Sequence, residues 1–253
     1  MAVIIKDNKA ITSMRRAGLL LAEIFENIGS VVTAGRTTES IDQWIFQQLL
    51  KQQLVSQSMG YKGYKHASCI SINDEVVHGV PNSFQILKEG DLVKIDVCAS
   101  WQGYCADMAR CFLIGEKTNA SILNLISVAN EALERGIAQA IAGNRLFDIS
   151  FAIQRCVEEQ GYGVVRDFAG HGIGKAMHED PDVPNFGTAG TGMRLKAGMA
   201  FAIEPMITQG HYDVFVDKDG WTVKTVDGSW AAHVEDTIVI TENGPEILTR
   251  LSK

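Results

Sequence analysis

Apolar residues recur at helical spacing in the first fifty residues of the chain. Leu20, Ile24 and Ile28 lie four positions apart, so they would share one face of a helix. We expect this helix to begin after Thr12-Ser13, whose hydroxyl groups can cap it, and to end near Gly29. A second helix is predicted to follow a short polar link.

The second helix is predicted to begin at 37–40, a Thr-Thr-Glu-Ser sequence, with Ile41, Ile45 and Leu49 on its apolar face. After residue 68 the pattern alternates and predicts strands in CISINDEVVHGV, DLVKIDVCAS and GYCADMARCFLIG. Helical period returns in SILNLISVANEALERGIAQAIAG and FDISFAIQRCVEEQG. Short strands are predicted in MAFAIEP, GWTVKTV and AHVEDTIVIT.

The order of predicted elements, two helices and then strands, therefore occurs twice. Ala34-Gly35 precedes Ile41 by the same spacing as Ala142-Gly143 precedes Ile149. We expect each glycine to end one helix shortly before the next, although glycine after a helix is also common without any repeat. These patterns favour a single α+β catalytic domain over 1–253, with related halves at about 13–115 and 120–243 and a ligand-binding cleft between them.

Composition narrows the class of protein. The chain has 253 residues, 46% of them apolar, and a formal net charge of −7 without a cluster of Lys and Arg, which argues against a nucleic-acid interface. We find no apolar run long enough for a membrane span or a secretory leader. The five cysteines are odd in number and form no CxxC motif, so we expect free thiols in a reducing cytosol, and we expect a monomer.

Asp96 and Asp107 interrupt apolar strand sequences, where aspartate is unusual. If the two strands form a hairpin closed at Trp101-Gln102, the two aspartates face each other and repel. A divalent cation between them would remove that repulsion. The alternative is that one aspartate caps a turn while the other pairs with Arg110.

The same hairpin would place Cys98 opposite Cys105. Facing Cβ atoms lie about 4.5–5.5 Å apart, beyond the ideal for a disulfide, so we expect both as free thiols.

His171 lies among Gly170, Gly172 and Gly174, and His178 follows seven residues later. Flanking glycines let the backbone bend, so we interpret this segment as a glycine-rich loop that brings an imidazole to a ligand. A single histidine of this kind is more often structural.

Glu204 ends the apolar segment MAFAIEP, and Glu235 interrupts AAHVEDTIVI. Alternation in the second segment places His233 and Glu235 on one face and Val234 and Asp236 on the other. Each acid alone could form a surface ion pair, whereas a buried carboxylate needs a partner.

Together these segments give five hard ligands: Asp96, Asp107, His171, Glu204 and Glu235. Oxygen-rich sites with one imidazole suit Mn²⁺, Fe²⁺, Co²⁺ or Zn²⁺. Four carboxylates exceed the needs of one small ion and match a pair of ions about 3.5–4 Å apart. The sequence therefore predicts two divalent cations.

The motifs SINDEVVHGVP, KEGDLVKIDV, GHGIGKAMHEDP, AFAIEPM and GWTVKTVDGSWAAHVEDTIVIT occur in the order and spacing of a known family. The chain resembles a type I methionine aminopeptidase of bacterial length over nearly its whole extent. This resemblance implies the pita-bread fold, two pseudo-symmetric halves around a dinuclear metal site. It also implies removal of the initiator methionine from nascent proteins when the second residue is small. The expected partners are therefore the N-termini of nascent polypeptides at the ribosome.

The resemblance implies a role for each candidate residue. Asp96 would hold one metal ion, Asp107 and Glu235 would bridge both, and His171 and Glu204 would complete the second. Glu204 would also act as general base and then as general acid. The remaining assignments are His78 at the scissile amide, His178 at the scissile carbonyl, and Tyr61, Tyr64, Cys69 and Trp221 in the methionine pocket, with Met177 nearby.

Three residues depart from the family pattern: Met177 replaces a common aromatic residue, His233 a glutamine and Asp236 a histidine. The Glu-Asp pair at 235–236 is more typical of prolidases and aminopeptidases P, so an Xaa-Pro peptidase is the alternative enzyme. Those relatives carry a substantial N-terminal domain, whereas the first catalytic helix here starts at about residue 13. A third hypothesis is a metal-free binding module of this fold.

Overall fold

A computed structural model describes residues 3–115 and 119–251. In these ranges the helices are α1 Asn8–Ile28, α2 Thr38–Lys51, α3 Ala120–Gln139 and α4 Leu146–Glu158. None of the helices in the described ranges has both the length and the apolar character needed to cross a bilayer.

The first helix starts earlier than predicted. Asp7 is its N-cap, and its Oδ1 accepts a hydrogen bond from the backbone N–H of Ala10 at 2.8 Å. The Thr12 hydroxyl instead donates to the carbonyl of Asn8 inside the helix. The predicted cap at Thr12-Ser13 is therefore wrong, because a better acceptor lies one turn upstream. The predicted end at Gly29 and the Thr37 cap of α2 are confirmed.

We expected Gly35 and Gly143 to end the preceding helices. This is wrong, because both lie in the links before α2 and α4. Both adopt positive φ, 86° and 102°, which favours glycine. Their N–H groups donate to the carbonyls of Leu87 and Leu195, respectively. Two residues after each glycine, the chain forms an isolated antiparallel β-bridge, Thr37–Ile86 in one link and Arg145–Arg194 in the other. This correspondence supports our proposal of two related halves, at about 13–115 and 120–243.

The strands in the described ranges form three antiparallel sheets. They are β1 Val55–Ser56, β2 Cys69–Ile72, β3 Glu75–Val77, β4 Leu92–Trp101, β5 Tyr104–Leu113, β6 Gly163–Val164, β7 Ala169–Gly172, β8 Glu179–Pro184, β9 Ala200–Ile203, β10 Met206–Thr208, β11 Val214–Val216, β12 Val223–Thr225, β13 Ala231–His233, β14 Glu235–Thr241 and β15 Gly244–Ile247. The large sheet has the order β1-β4-β5-β14-β9-β7-β8, with β2 on β4 and β15 on β14. The small sheets are β13-β10-β6 and β11-β12-β3.

Each helix pair covers part of the large sheet. One apolar cluster joins α1 and α2 to β2, β4 and β5 and includes the fully buried Ile41, Ile45 and Leu49 of α2. A second joins α3 and α4 to β9 and β14, and there Gly136 lies where an added Cβ would contact Ile153 at 2.8 Å. Full burial of each such aliphatic side chain contributes about 1.5–3 kcal/mol, so the helices hold the sheet in place.

The β4–β5 hairpin has a different register from the predicted one. Gln102 and Gly103 form a two-residue turn with positive φ at both positions, 50° and 79°, as a type I′ turn requires. This turn pairs Asp96 with Ala109 and Cys98 with Asp107. Asp96 and Asp107 are therefore diagonal neighbours on one face instead of direct partners, because the turn lies one residue later than expected.

The same change of register alters the partners of Cys98 and Cys105. Cys98 faces Asp107, and Cys105 faces Ser100. The predicted pairing of Cys98 with Cys105 is wrong, and both are buried free thiols.

The segment predicted as one strand around Glu235 is two strands. Val234 leaves the ladder and donates its N–H to the carbonyl of Pro205, so β13 and β14 join different sheets. The break leaves a ring nitrogen of His233 within 4.8 Å of a carboxylate oxygen of Glu235, while Asp236 binds Arg110 instead.

Asp236 is fully buried and anchors the C-terminal segment. Its Oδ1 accepts from Arg110 at 2.6 Å and from the Thr249 hydroxyl at 2.7 Å, and its Oδ2 accepts from Arg250 at 2.6 Å. Arg110 also donates to the carbonyl of Glu235. The carboxylate thus compensates two guanidinium groups and fixes the start of β14.

Replacing Asp236 with alanine should lower the free energy of unfolding by roughly 2–4 kcal/mol, because two arginines lose their buried counter-charge. Urea denaturation measures the change. The control is Arg15→Ala, which breaks the Arg15–Glu246 pair, whose side chains are 39% and 37% exposed. That loss should stay under about 1 kcal/mol, and similar losses in both variants would contradict the anchoring role.

Candidate metal centre

A cavity of about 620 Å³ is lined by residues from distant parts of the chain, between Ile4 and Glu235. All five predicted ligands line it: Asp96, Asp107, His171, Glu204 and Glu235. The structure therefore brings together side chains that are distant in sequence.

The order of strands in the large sheet explains this convergence. Asp96 lies on β4, Asp107 on β5, Glu235 begins β14, Glu204 directly follows β9, and His171 lies on β7. These five strands are consecutive neighbours in the sheet. Because side chains from adjacent strands point to the same face of a sheet, the five groups lie together on one face. These five residues form what we call the floor of the cavity.

His171 is held by a strand and not by the loop that we predicted. An added Cβ on Gly170 would lie 2.4 Å from the carbonyl oxygen of Ala202, and one on Gly172 would lie 2.3 Å from that of Asp180. The flanking glycines are therefore needed for close approach of neighbouring strands rather than for a flexible turn.

The tautomer of His171 follows from its hydrogen bond. Nδ1 lies 2.9 Å from the carbonyl oxygen of Gly172, which can only accept, so Nδ1 carries the proton. Nε2 then presents a lone pair toward Glu204 Oε1 at 3.6 Å and Asp107 Oδ2 at 4.0 Å. This is the arrangement in which histidine binds metal ions in proteins.

The carboxyl groups are crowded and poorly solvated. Burial raises the pKa of Asp107 to about 7 and that of Glu204 to about 8. Burial and the charge of Asp107 also raise the pKa values of Asp96 and Glu235 well above their usual range. Asp107 and Glu235 are buried and Asp96 and Glu204 are partly buried, so ionisation of all four together is unfavourable without a compensating cation.

The residues fit a divalent cation. Oδ1 of Asp107 and Oε1 of Glu235 are buried and have no hydrogen-bond partner within the described residues. Ligand atoms of Asp107, His171 and Glu235 all lie within 4.8 Å of one another. Unsatisfied carboxylate oxygens beside a free imidazole nitrogen are a suitable donor set for Mn²⁺, Fe²⁺, Co²⁺ or Zn²⁺.

His233 was not predicted as a site residue but belongs to this cluster. Its Nε2 lies 3.3 Å from Oε2 of Glu204, and the side chain is 1% exposed. Its ligand atoms also group with those of Glu204 and Glu235 within 4.8 Å. The alternation that put His233 on the face of Glu235 was the available signal.

Aromatic and apolar side chains form one wall of the cavity. Tyr64 and Trp221 meet edge to face with ring centroids 5.0 Å apart, and Cys69 lies beside them. The Tyr64 hydroxyl donates to the carbonyl of Ser68 at 3.0 Å, so its polar end is satisfied away from the cavity. Asp42 fixes this loop by accepting from Ser68 N at 2.9 Å and Oγ at 2.7 Å.

Met177 adds a further apolar side chain to this wall, and the remaining predicted substrate-contacting residues also line the cavity: Tyr61, His78 and His178. Nδ1 of His178 lies 3.2 Å from the Tyr61 hydroxyl. His78 adopts positive φ, 59°, and burial lowers its pKa to about 4, so it is neutral at pH 7.

Sequence reasoning missed other lining residues, because they lie in short loops or at strand ends without periodicity. They include Ile4, Ser58, Lys62, Val77, Phe168 and Met206.

The raised carboxyl pKa values predict a pH dependence of stability. In chelator-treated protein, folded Asp107 and Glu204 hold protons up to about pH 7 and about pH 8, whereas in the unfolded chain their pKa values are the ordinary 3.8 and 4.5. The folded state then binds more protons, so its stability should fall as pH rises from about 5 to about 8.

Urea denaturation at several pH values, with chelator or with Mn²⁺, measures this effect. Metal should largely remove the loss, since a cation stabilises the ionised carboxylates. Glu204→Gln should flatten the chelator profile in part. Identical profiles with and without metal would contradict the assignment of a metal site.

Comparison with known proteins agrees with this geometry. The model of metallopeptidase family M24 matches residues 12–242. The methionine aminopeptidase of Clostridium acetobutylicum is 46% identical over 247 residues, 98% of this chain and 98% of that protein. The crystal structure of methionine aminopeptidase from Thermotoga maritima has a TM-score of 0.96 at 44% identity and covers 99% of this chain and 100% of that one.

The structure of an X-Pro aminopeptidase from Thermotoga maritima shares the fold, with a TM-score of 0.77 at 23% identity, and 98% of this chain matches 62% of that one. At that identity only the fold is informative. The comparisons confirm the predicted pita-bread fold and the predicted metal-dependent hydrolase of the methionine aminopeptidase type. This chain belongs to metallopeptidase family M24.

Proposed function

We propose that the chain removes the N-terminal methionine from nascent proteins in the cytosol by hydrolysis, when the second residue is small. One observation carries the proposal: the carboxylate-rich floor and the uncharged wall of Tyr64, Cys69, Met177 and Trp221 lie in the same cavity. The similarity to methionine aminopeptidases over nearly the full length of both chains supports it.

The wall suits a thioether side chain. Trp221 and Tyr64 offer ring edges and faces, and sulfur–aromatic contacts contribute about 0.3–1.5 kcal/mol each. Cys69 and Met177 keep the wall apolar and add no formal charge at neutral pH, since burial raises the pKa of Cys69 well above its usual value. A lysine or aspartate side chain would lose its hydration here without gaining a partner.

We propose that Asp96, Asp107, His171, Glu204 and Glu235 hold two divalent cations, drawn from Mn²⁺, Fe²⁺, Co²⁺ and Zn²⁺. Such cations, when bound, polarise the scissile carbonyl and make water acidic enough to act near neutral pH. The four carboxylates support two ions because together they would overcompensate the charge of one.

Glu204 is suited to proton transfer. Its carboxyl group lies on the cavity floor, where it can accept a proton and return it during the reaction. Its place between His171 and His233, at 3.6 Å and 3.3 Å, fixes its orientation. We assign it the transfer of a proton from the attacking water to the leaving amine.

His178 is placed to stabilise developing charge. When the Tyr61 hydroxyl donates to Nδ1, the ring proton resides on Nε2 and can be donated to the scissile carbonyl oxygen. His78 lines the same cavity as a neutral ring, and we propose that it contacts the scissile amide.

The Xaa-Pro alternative loses its main support in the structure. It was motivated by Asp236, and that carboxylate is directed away from the cavity and bound by Arg110 and Arg250. A metal-free binding module is opposed by the complete set of ligand residues on the cavity floor.

A peptide panel tests the specificity. Met-Ala peptides should be cleaved well, and Ala-Pro and Lys-Ala peptides poorly, in the presence of Mn²⁺, Fe²⁺ or Co²⁺. The measurement is kcat/KM for each of the three peptides. Faster cleavage of Ala-Pro would overturn the methionine assignment and favour the Xaa-Pro alternative, while protein that binds no metal and cleaves nothing would favour the binding module.

Trp221→Ala should reduce kcat/KM for Met-Ala peptides by roughly 10-fold to 100-fold, since an indole contact with the substrate is lost. Metal content measured by elemental analysis should stay unchanged, because Trp221 contributes to the wall and not to the floor. A parallel loss of metal would mean that the substitution acts through the fold.

Glu204→Gln keeps the size of the side chain and removes the proton acceptor. We expect kcat to fall by about 100-fold to 10,000-fold, the range for loss of a general acid–base group. Near wild-type turnover in metal-loaded protein would refute the role of Glu204.

A further inference from the structure

The segment 3–6 is held to the rest of the protein by two contacts and is braced by one within itself. The backbone N–H of Lys6 donates to the carbonyl of Gly198 at 2.7 Å. Its ammonium lies 2.7 Å from Oε2 of Glu179, and these side chains are only 5% and 9% exposed. The same ammonium donates to the carbonyl of Ile4 at 3.0 Å. A buried ion pair with these additional hydrogen bonds fixes the segment in one position.

Glu179 connects this segment to the turn that carries His178. Its Oε1 accepts from the backbone N–H groups of Lys175 and Ala176 at 2.8 and 3.3 Å. An added Cβ on Gly174 would lie 2.5 Å from both Lys6 and Glu179, so the packing leaves no free space. The segment and the turn therefore form one rigid part of the cavity wall.

Ile4 is the residue of this segment that lines the cavity. Its side chain is 57% exposed, whereas the floor residues Asp107 and Glu235 are 5% and 2% exposed. Ile4 thus lies at the mouth, far less enclosed than the groups that hold metal. An exposed aliphatic side chain held rigidly at a cavity mouth is suited to contact a ligand that extends out of the cavity.

We propose that Ile4 determines specificity for the third and fourth residues of the substrate and favours apolar side chains there. This inference rests on the proposed function. An aminopeptidase admits only the N-terminal residue to the enclosed part of its site, so the chain beyond the scissile bond leaves through the mouth. An apolar side chain at those positions would cover Ile4 and remove its exposed surface from water.

The neighbouring residue provides a matched control. Ile5 is 49% exposed, close to the value for Ile4, and its side chain is directed to Gly198, where an added Cβ would lie 2.6 Å from Cγ2 of Ile5. The two isoleucines therefore differ mainly in whether they face the cavity.

The test compares Met-Ala-Leu-Leu with Met-Ala-Gly-Gly, which have the same length and the same scissile bond. Wild-type protein should show a kcat/KM ratio of roughly threefold to tenfold in favour of leucine, the effect of partial burial of an apolar surface. Ile4→Ala should bring the ratio close to one by lowering kcat/KM for the leucine peptide. Ile5→Ala should keep the wild-type ratio.

A charge substitution at Ile4 tests the contact in a second way, through the preference for charged substrate residues. A purely structural role of Ile4 would not change this preference. Ile4→Lys should favour Met-Ala-Asp-Asp over Met-Ala-Lys-Lys by several-fold more than wild type does, and added salt should reduce this preference. Ile5→Lys should leave it unchanged. An unaltered leucine-to-glycine ratio in Ile4→Ala, with Met-Ala-Gly-Gly still cleaved, would overturn this inference alone. Failure of wild-type protein to cleave any Met-Ala peptide would overturn the proposed function and this inference with it.

Discussion

Repulsion among four carboxyl groups in one poorly solvated cavity is the constraint on which the rest of the structure depends. Burial, together with the charge of Glu204, raises the pKa of Asp107 to about 7, and burial raises that of Glu204 to about 8, so the arrangement opposes its own ionisation. Packed apolar residues at these positions would give a more stable core. The cluster is therefore reasonable only as a site for cations, and the surrounding sheet must hold it against that repulsion.

The fold meets this requirement with interactions placed behind the floor. Four of the five proposed ligands lie on strands of the large sheet, and Glu204 directly follows a fifth strand, so the sheet positions all of them. The carbonyl of Gly172 orients His171 through Nδ1, and Arg110 fixes the backbone of Glu235 while it binds Asp236. Asp236, a departure from the family pattern, thus contributes to the site through the position of its neighbour rather than through its own carboxylate.

Some of this organisation could be read from the sequence. Asp96, Asp107 and Glu235 interrupt apolar strands, and their cost in a packed core signals a partner before any contact is known. Periodicity likewise located the two helix pairs. The hairpin turn was misplaced by one residue, which shifts each cross-strand partner by two, because Gln102 and not only Gly103 adopts positive φ, and glutamine carries no local signal for that conformation. The break at Val234 and the buried role of Asp42 depend on contacts between distant segments, which a single sequence does not encode locally.

The floor and the wall of the cavity bear on two different aspects of the proposed function, hydrolysis and the choice of substrate. An X-Pro aminopeptidase with 23% identity has the same fold, so the fold alone does not distinguish which bond is cleaved. Hydrolysis depends on groups at the floor, where charge must be compensated. Under the proposed function, the choice of substrate depends on the uncharged wall, where Trp221 and Tyr64 meet, and on the mouth, where the Lys6–Glu179 ion pair holds residues 3–6. Because the wall and the mouth come from loops and from the N-terminal segment, they can change while the sheet keeps the floor intact. Specificity in this molecule is therefore a property of its least regular segments, supported by its most regular ones.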